Sequence, residues 1–593
     1  MTTVKVNFST GQEVNVEIGS RLSDAIAEAG IKMDFPCGGR GKCGQCKVSI
    51  REIGHNKEEV LSCTYQITTD LWVEIPDITE ELGTSILVSG SNAELEVDSG
   101  LKKYYLKNIN KTGQPYWNEL KNQAERIGLL LYPELSLLQD LAESLQEEKK
   151  GFTLLTAGKR VIQIESGDTS NTCYGLAVDI GTTTVVGYLM DLHSGKQIAV
   201  GSALNSQRVF GADVISRINA VFLNENNLNQ LQAKVIETIN HIIETVAHEA
   251  NISSDSIYTV TLAGNTCMHH LLLGLNPFRL GQSPFLPIIR QSVEVSAQAL
   301  NLALNSRAEG WVFPVIAGFV GGDTVSAILA CNFHRRNGIH LLIDIGTNGE
   351  LVINAHGRMV ACSAAAGPAL EGGQVTYGMR AENGAISKVK LTPEVELDTI
   401  GHGPVKGICG SGLIDLLGEL INVKLINKRG KLINPESFTG PDYLRKRLCK
   451  TDKGLSFTVL SAEENGGREI YLTQGDISQI QLAKGALRAA IELLVKTVGV
   501  HGEDVEEVFL AGAFGNFMDK EQALVIGLLP EWTEGKVKVV GNAAGEGAKM
   551  ALLSRSKRSE AAEISQKVEF LELAGNPKFQ DAFIKGMLFD RAF

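Results

Sequence analysis

The sequence predicts a multidomain α/β protein, and three observations lead to this prediction. The chain has 593 residues, which is enough for three or four domains. Residues 37–46, CGGRGKCGQC, place three cysteines in a glycine-rich loop. Residues 175–190 and 340–355 share one strand-turn-strand pattern around Asp-Ile-Gly-Thr. We therefore expect a small cysteine-bearing domain at the N-terminus and a duplicated α/β domain at the C-terminus.

The composition excludes several classes of function. The net charge is −12, and aromatic residues make up 6% of the chain, so neither charge nor base stacking favours nucleic-acid binding. No apolar run reaches the roughly 18 residues that span a bilayer. The first residues, MTTVKVNFSTGQEV, alternate like a strand and lack the pattern of a secretion signal. We expect a cytoplasmic protein that binds neither nucleic acid nor membrane.

The N-terminal region has the pattern of a small sheet domain. Residues 4–18 predict a β-hairpin, and residues 20–31 predict a short amphipathic helix that ends at Gly30. Further strand patterns follow the cysteine loop. We assign residues 1–85 to this domain and residues 86–100, which are small, polar and acidic, to a linker.

Four clustered cysteines predict a metal centre in the first domain. They follow the spacing Cys37-x5-Cys43-x2-Cys46-x16-Cys63. Four thiolates can hold zinc or an iron–sulfur cluster. Zinc sites usually have two C-x2-C pairs, whereas this chain has three cysteines in one loop and a distant fourth. The loop, with its hairpin and helix, resembles a β-grasp [2Fe–2S] ferredoxin domain, although it is one residue longer than the plant spacing. A [4Fe–4S] cluster and zinc remain the alternatives.

Residues 101–172 predict a small middle domain without assigned chemistry. Residues 127–146 are expected to be mostly helical and amphipathic, and residues 151–165 predict a hairpin. The sequence also assigns no chemistry to the Cys267, His269 and His270 group.

An internal repeat defines the remainder, residues 173–593. DIGT occurs at 179–182 and 344–347, TVTLAGNT at 259–266 matches EVFLAGAF at 507–514, and GFVGGDTVSAIL at 318–329 resembles GNAAGEGAKMAL at 541–552. One such match would be weak, but three pairs in the same order indicate a duplication. The two halves are expected at about 173–330 and 340–593.

The repeated turn suits phosphate binding. A hairpin that bends at glycine can aim backbone N–H groups and threonine hydroxyls at a phosphate, and the preceding aspartate can hold Mg²⁺ through water. Two such hairpins could bind a triphosphate from both sides. The strand end AGAFG, residues 511–515, leaves room for a flat ring or ribose. GICGSGLID, residues 407–415, either presents N–H groups to a ligand or permits close backbone packing.

Residues 175–593 resemble the actin-like ATPase superfamily of sugar kinases, actin and heat-shock chaperones. The resemblance implies two RNase-H-like halves with ATP and Mg²⁺ between them. It also implies that Asp323 in GGDT orients the attacking water, for which a helix cap is the alternative reading. The other site residues that it implies are Asp179, Gly181, Thr182 and Thr183 in the first hairpin, Asp344, Gly346, Thr347 and Asn348 in the second, and Ala511, Gly512, Ala513, Phe514 and Gly515 at the adenosine strand end. Two further sets are candidates from the sequence itself: Gly410 and Ser411 for contact with a phosphate or ribose, and Glu350 in DIGTNGE as a Mg²⁺ ligand or a residue behind one.

The order of CGGRGKCGQC, DIGTTT, GGDT, DIGTNGE, GICGSG and AGAFGN resembles the reductive activators of corrinoid-dependent enzymes over nearly the whole chain. That resemblance implies one-electron reduction of a corrinoid protein from Co(II) to Co(I), coupled to ATP hydrolysis. It also implies a homodimer formed through the ATPase domain. The implied electron donor is a reduced ferredoxin, a flavodoxin or a dedicated reductase.

Three alternatives belong to other classes. A dehydratase activator shares the ATPase fold but normally lacks an N-terminal ferredoxin domain. A small-molecule kinase with a regulatory cluster should carry a sugar-recognition set, and none is convincing here. A chaperone-like binding protein would use the cluster only structurally.

Overall fold

The structure is a computed structural model that describes residues 3–29, 31, 46–52, 57–74, 97–107, 114–146, 151–401, 404–451, 454–512 and 518–590. Within these ranges, no helix combines the length and the apolar character needed to cross a membrane. Several predicted positions lie outside the described residues. They are Cys37, Cys43, Ala513, Phe514, Gly515 and residues 86–96 of the predicted linker.

The N-terminal domain is a five-stranded sheet with one packed helix. Its elements are β1 (Thr3–Phe8), β2 (Glu13–Glu17), α1 (Leu22–Glu28), β3 (Lys47–Glu52), β4 (Glu58–Leu61) and β5 (Leu71–Glu74). The strand order is β2-β1-β5-β3-β4, parallel between β1 and β5 and antiparallel elsewhere. Leu22, Ala25 and Ile26 of α1 are fully buried in the core of this domain. This mixed sheet with its helix confirms the predicted β-grasp fold.

The next region is a three-stranded antiparallel sheet with two helices. Its elements are β6 (Leu101–Lys107), α2 (Tyr116–Arg126), α3 (Leu135–Ser144), β7 (Gly151–Ala157) and β8 (Arg160–Ser166). The strand order is β6-β7-β8, and β7 and β8 form the predicted hairpin. The helix expected over 127–146 begins only at Leu135. Pro133 accounts for the difference, because proline disfavours helical geometry in the residue before it, and Leu130 instead pairs with Arg160.

A buried polar contact joins this region to the C-terminal domain. The side chain of Lys103 is fully buried, and its Nζ lies 2.7 Å from Glu165 and donates at 2.8 Å to the Tyr258 hydroxyl. The Tyr258 hydroxyl in turn donates at 2.8 Å to Glu165. Because a buried charge is tolerated only when it is paired, these three residues fix residues 101–166 against the first half of the C-terminal domain.

The first half of the C-terminal domain is built around a six-stranded sheet. Its elements are β9 (Tyr174–Ile180), β10 (Thr184–Asp191), β11 (Gln197–Leu204), α4 (Val214–Leu223), α5 (Asn226–Glu249), β12 (Ile257–Gly264), α6 (Thr266–Leu272), β13 (Val293–Ser296), β14 (Glu309–Val312) and α7 (Gly322–Ala330). The strand order is β11-β10-β9-β12-β14-β13.

The second half has an equivalent sheet with additions. Its elements are β15 (Ile339–Ile345), β16 (Gly349–Ala355), β17 (Arg358–Ala364), β18 (Ala385–Lys390), β19 (Glu396–Thr399), β20 (Gly407–Ile408), α8 (Gly410–Asn422), α9 (Asp442–Arg445), β21 (Leu448–Thr451), β22 (Gly454–Leu460), β23 (Ile470–Thr473), α10 (Gln474–Val498), β24 (Glu507–Ala511), α11 (Lys520–Val525), β25 (Val537–Gly541), α12 (Ala543–Leu553), α13 (Arg555–Lys567), β26 (Glu569–Phe570) and α14 (Pro577–Gly586). The main sheet has the order β25-β24-β15-β16-β17-β26.

The strand pairing confirms the duplication. In each half, the strand that ends in Asp-Ile pairs antiparallel with the next strand and parallel with a later one. Asp179 of β9 stands opposite Ala263 of β12, and Asp344 of β15 stands opposite Ala511 of β24. The repeated motifs therefore occupy equivalent positions in two RNase-H-like halves.

The helices that carry the third repeated motif pack against each other at very short range. A side chain at Gly547 of α12 would place its Cβ 2.0 Å from the Ser326 carbonyl oxygen of α7. The Ser326 hydroxyl donates at 2.5 Å to the Ala544 carbonyl. Glycine at 547 thus permits the closest approach between the two helices.

Gly547→Ala should lower the free energy of unfolding by about 1–3 kcal/mol, because the added methyl group forces α7 and α12 apart. The matched control is Gly475→Ala in α10, where the Cβ would meet only the Thr473 hydroxyl at 3.5 Å. Denaturant unfolding followed by circular dichroism measures both variants. Equal stability of the two variants would contradict the assigned crossing.

Candidate active site

Two glycine turns, one from each half, face each other across a cavity. The Gly181 N–H donates at 3.0 Å to the Thr184 carbonyl, and the Gly346 N–H donates at 3.0 Å to the Asn348 carbonyl. The hydroxyls of Thr183 and Thr347 lie 3.3 Å apart. The two turns of the duplicated motif therefore meet at one point between the halves.

The cavity at this point has a volume of about 290 Å³. The predicted site residues within the described ranges line it together, except Ala511 at the end of β24. They are Asp179, Gly181, Thr182, Thr183, Asp323, Asp344, Gly346, Thr347, Asn348, Glu350, Gly410, Ser411 and Gly512. The sequence thus located residues that are far apart in the chain and close in space.

Carboxyl groups dominate the electrostatics of the cavity. Burial raises the pKa of Asp179 to about 7 and that of Asp323 to about 6. Burial, together with the charges of Asp323 and Asp179, raises the pKa of Asp344 to about 7. Burial and the charges of Asp323 and Asp344 also raise the pKa of Glu350 well above its usual value. Like charges in a dry site disfavour ionisation, so a bound cation would stabilise the ionised forms.

The arrangement of these carboxylates fits a hydrated magnesium ion. Within the described part of the chain, no three histidine, cysteine or acidic side chains are grouped to ligate one metal directly. Mg²⁺ commonly keeps several waters and binds through one or two carboxylates and substrate phosphates. The donor set therefore suits Mg²⁺ that arrives with a nucleotide.

Asp323 and Asp179 are held by different contacts. The Asp323 carboxylate accepts a hydrogen bond of 2.7 Å from the Thr324 N–H at the start of α7. It thus contacts the start of its own helix and also lines the cavity. The Asn542 amide donates at 2.9 Å to the Asp179 carboxylate and at 3.1 Å to the Tyr188 hydroxyl.

The side of the cavity formed by Gly512 and the start of α8 has little room for side chains. Gly512 has φ +93°, and a Cβ there would lie 2.7 Å from both the Asp344 carboxylate and the Ile345 carbonyl. At the start of α8, the Ser411 hydroxyl donates at 3.1 Å to the Ser387 carbonyl. The Gly410 and Ser411 segment is therefore held to β18 by a side-chain hydrogen bond, while it also lines the cavity.

Arg217 supports the first phosphate turn and was not predicted. It is fully buried and donates to the Thr182 carbonyl, to the Gly211 carbonyl at 3.0 Å and to the Gln207 side chain at 3.0 Å. In the sequence, Arg217 is one of three charged residues of NSQRVFGADVISRI, with Arg208 and Asp213, and no motif singles it out.

Glu371 and Arg380 also line the cavity without having been predicted. The Thr347 hydroxyl donates at 3.1 Å to the Glu371 carboxylate. Burial raises the pKa of Glu371, and this rise is opposed by the Arg380 charge and by hydrogen bonds from Thr347 and Thr183. Glu371 thus contacts the point where the two turns meet. No local motif marks either residue.

The described half of the cysteine set fits a metal centre. The sulfurs of Cys46 and Cys63 lie 3.2 Å apart, and both residues are buried in the core of the N-terminal domain. The separation is far longer than the roughly 2.05 Å of a disulfide, so the two sulfurs are not bonded to each other and converge on one place. Their convergence supports ligation by Cys46 and Cys63, while Cys37 and Cys43 lie outside the described residues.

Comparison with known families assigns a description to three parts of the chain. Residues 6–68 match the 2Fe-2S iron-sulfur cluster binding domain. Residues 174–336 match the RACo middle region, and residues 338–592 match the C-terminal domain of RACo, the ASKHA domain. The family description named for the middle region therefore falls on the first half of the duplicated domain.

Individual relatives of the chain are also found, one of them over nearly its whole length. The chain is 34% identical over 583 residues to the corrinoid activation enzyme RamQ of Eubacterium limosum, covering 98% of both chains. It is 29% identical over 304 residues, 47% of this chain and 51% of the relative, to the [Co(II) methylated amine-specific corrinoid protein] reductase of Methanosarcina barkeri. A solved structure titled reductive activator for corrinoid, iron-sulfur protein aligns with a TM-score of 0.75 and 32% identity, covering 99% of this chain and 98% of that one.

The raised carboxyl pKa values predict how stability depends on pH. The pKa of Asp344 rises from 3.8 when unfolded to about 7 when folded, so its contribution is present below pH 4 and is lost as the pH rises through 7. Thermal unfolding in EDTA without nucleotide should therefore show a melting temperature that falls from pH 5 to pH 8. Asp344→Asn should flatten this slope.

The control for this experiment is Asp442→Asn, which removes a largely exposed carboxylate at the start of α9. It should retain the slope of the wild-type protein. An unchanged slope in Asp344→Asn would contradict the assigned burial of that carboxyl group.

Proposed function

This chain belongs to the family of reductive activators of corrinoid proteins, and we propose that it reduces the Co(II) form of a corrinoid protein to Co(I). One electron passes through the cluster of the N-terminal domain, and ATP hydrolysis in the duplicated domain is coupled to the transfer. The M. barkeri relative, named as a reductase of a Co(II) corrinoid protein, supports this assignment.

One observation carries the ATP part of the proposal. Thr183 and Thr347, from equivalent turns of the two halves, meet at 3.3 Å beside a cavity lined by buried carboxylates. A nucleotide in this position would contact both halves at once. Binding and hydrolysis would then change the relative position of the halves, as in other proteins that close around a ligand.

The proposed cofactors are ATP, Mg²⁺ and a [2Fe–2S] cluster. The cluster supplies one-electron chemistry, and Cys46 and Cys63, with Cys37 and Cys43, would hold it. Asp179 and Asp344 would hold hydrated Mg²⁺, with Asn542 orienting the Asp179 carboxylate. Asp323 would orient the attacking water at the start of α7.

Coupling to ATP hydrolysis would make an otherwise unfavourable electron transfer possible. Ferredoxin-type clusters have potentials near about −400 mV, and each further ~59 mV makes a one-electron transfer tenfold less favourable. An acceptor whose reduction potential lies below that of the cluster is therefore reduced only when another process changes the conformation of the acceptor. A change in the halves that favours one conformation of the bound acceptor would supply that shift.

The proposed partners follow from family membership. The electron donor would be a reduced ferredoxin, a flavodoxin or a dedicated reductase. The chain would act in the cytoplasm as a homodimer formed through the ATPase domain.

The experiment uses anaerobically purified, cluster-reconstituted protein with a Co(II) corrinoid protein and a chemical reductant. Co(I) absorption should appear only with MgATP. Cys46→Ala should abolish it by removing a cluster ligand. Asp179→Asn should slow it by about 100-fold or more, as expected for loss of a preorganised charge at the reacting phosphate.

Matched controls separate these effects from general damage. Cys449→Ala removes a half-buried thiol of β21, and Asp442→Asn removes an exposed carboxylate. Both should retain activity. The proposal would be contradicted if no corrinoid protein stimulated ATP hydrolysis and no electron were delivered. That result would favour a kinase or a chaperone-like protein.

A further inference from the structure

The nucleotide cavity contains many acidic groups and few basic ones. Among the described residues that line it, five are acidic and one, Arg380, is a lysine or arginine. The acidic residues are Asp179, Asp323, Asp344, Glu350 and Glu371. A triphosphate would add further negative charge to this site. Mg²⁺ offsets two charges, so a cationic side chain beside the phosphates has a large effect on binding.

A closed loop brings Arg380 and Glu371 to the same side of the cavity. The loop, residues 372–379, starts at Gly372 with φ +82°, where an added Cβ would lie 2.4 Å from the Met379 carbonyl. A Cβ at Gly378 would lie 2.0 Å from the Gly372 carbonyl. Since both contacts are with backbone, the two ends of the loop are held together only because glycine occupies both positions.

The backbone at Arg380 is further held by the strand that leads into α8. The Met379 N–H donates at 3.0 Å to the Ile408 carbonyl, and the Ile408 N–H donates at 2.8 Å to the Tyr377 carbonyl. Within the described part of the chain, the Arg380 guanidinium has no hydrogen-bond or ion-pair partner within bonding distance. Its charge nevertheless acts on the nearby Glu371 carboxyl. Arginine with five free donors is well suited to bind phosphate oxygens.

Glu371 marks where in the cavity the arginine would act. Its carboxylate accepts from the Thr347 hydroxyl at 3.1 Å, and the Thr183 hydroxyl lies 3.3 Å from that of Thr347. This is the meeting point of the two glycine turns, which are the proposed phosphate-binding elements, whereas Gly512 at the end of β24 lies on the proposed nucleoside side. The group that Arg380 neighbours is therefore at the phosphate end of the cavity.

We propose that Arg380 binds the terminal phosphate of ATP and that Glu371 gives up its contact with the threonine hydroxyls to that phosphate. The inference rests on the proposed use of ATP by this cavity. According to this inference, the Glu371 and Arg380 pair discriminates between ATP and ADP. ADP lacks the phosphate that would bind Arg380. With ADP bound, Glu371 would therefore keep its hydrogen bond from the Thr347 hydroxyl.

The test measures equilibrium binding rather than turnover. Full-length, cluster-reconstituted protein in MgCl₂ is titrated by calorimetry with the non-hydrolysable ATP analogue AMPPNP and, separately, with ADP. Arg380→Gln should weaken AMPPNP binding by about tenfold or more, as expected for loss of a hydrogen bond to a charged group, and change ADP binding by much less. Arg380→Lys should recover part of the loss.

Two further variants complete the test. Glu371→Gln removes negative charge from the phosphate end and should tighten AMPPNP binding. Lys390→Gln is the control, because it removes a positive charge from the same half at an exposed ion pair with Glu396, and it should bind both nucleotides like the wild-type protein.

Each outcome has a defined meaning. Equal weakening of AMPPNP and ADP by Arg380→Gln, or no weakening of either, would overturn the inference while ATP use stands. Weaker AMPPNP binding by Glu371→Gln would overturn the exchange between carboxylate and phosphate. A wild-type protein that binds neither nucleotide would overturn the proposed use of ATP itself, and the inference with it.

Discussion

The ATPase domain depends on holding several carboxyl groups close together in a buried space between its two halves. The first half contributes Asp179 and Asp323, and the second contributes Asp344, Glu350 and Glu371. Ionised together, these groups repel one another, and their raised pKa values express that repulsion and their burial. In the proposed mechanism, a cation that binds with a ligand would reverse the sign of this interaction. Ligand binding would then also draw the two halves together.

The sequence predicted the parts of this site that are local. A glycine turn after a buried strand is recognisable in a few residues, and the repeat showed which turns are equivalent. No local sequence motif identifies Glu371, Arg380 or Arg217. Their roles depend on a loop that closes through backbone contacts at Gly372, and on a helix that returns an arginine to the Thr182 carbonyl. The predicted start of the helix at residue 127 was wrong. The prediction followed the amphipathic periodicity and did not take into account that Pro133 disfavours helical geometry before it.

The N-terminal domain places its described thiols in an apolar setting. Cys46 precedes β3, and Cys63 follows β4, so the antiparallel pairing of these strands brings the two sulfurs together. Both residues belong to the same buried core as α1. On this side the metal centre would be shielded from water by packed side chains. Spacing alone predicted the ligand set, while the packing around it required the fold.

The attachment of residues 97–107 has a consequence for how far the electron-carrying domain can reach. Asp98 exchanges backbone hydrogen bonds with Leu553 and Arg555, at the junction of α12 and α13, and Lys103 is buried against Tyr258 of the first half. α12 packs against α7 in a core cluster that contains residues of both main sheets, so the tether of the N-terminal domain, residues 75–96, is attached beside this helix pair. A small rotation of the halves about this helix pair would change the direction of the tether and would move its point of attachment only a little. The arc available to the cluster would then be set by the tether's own length.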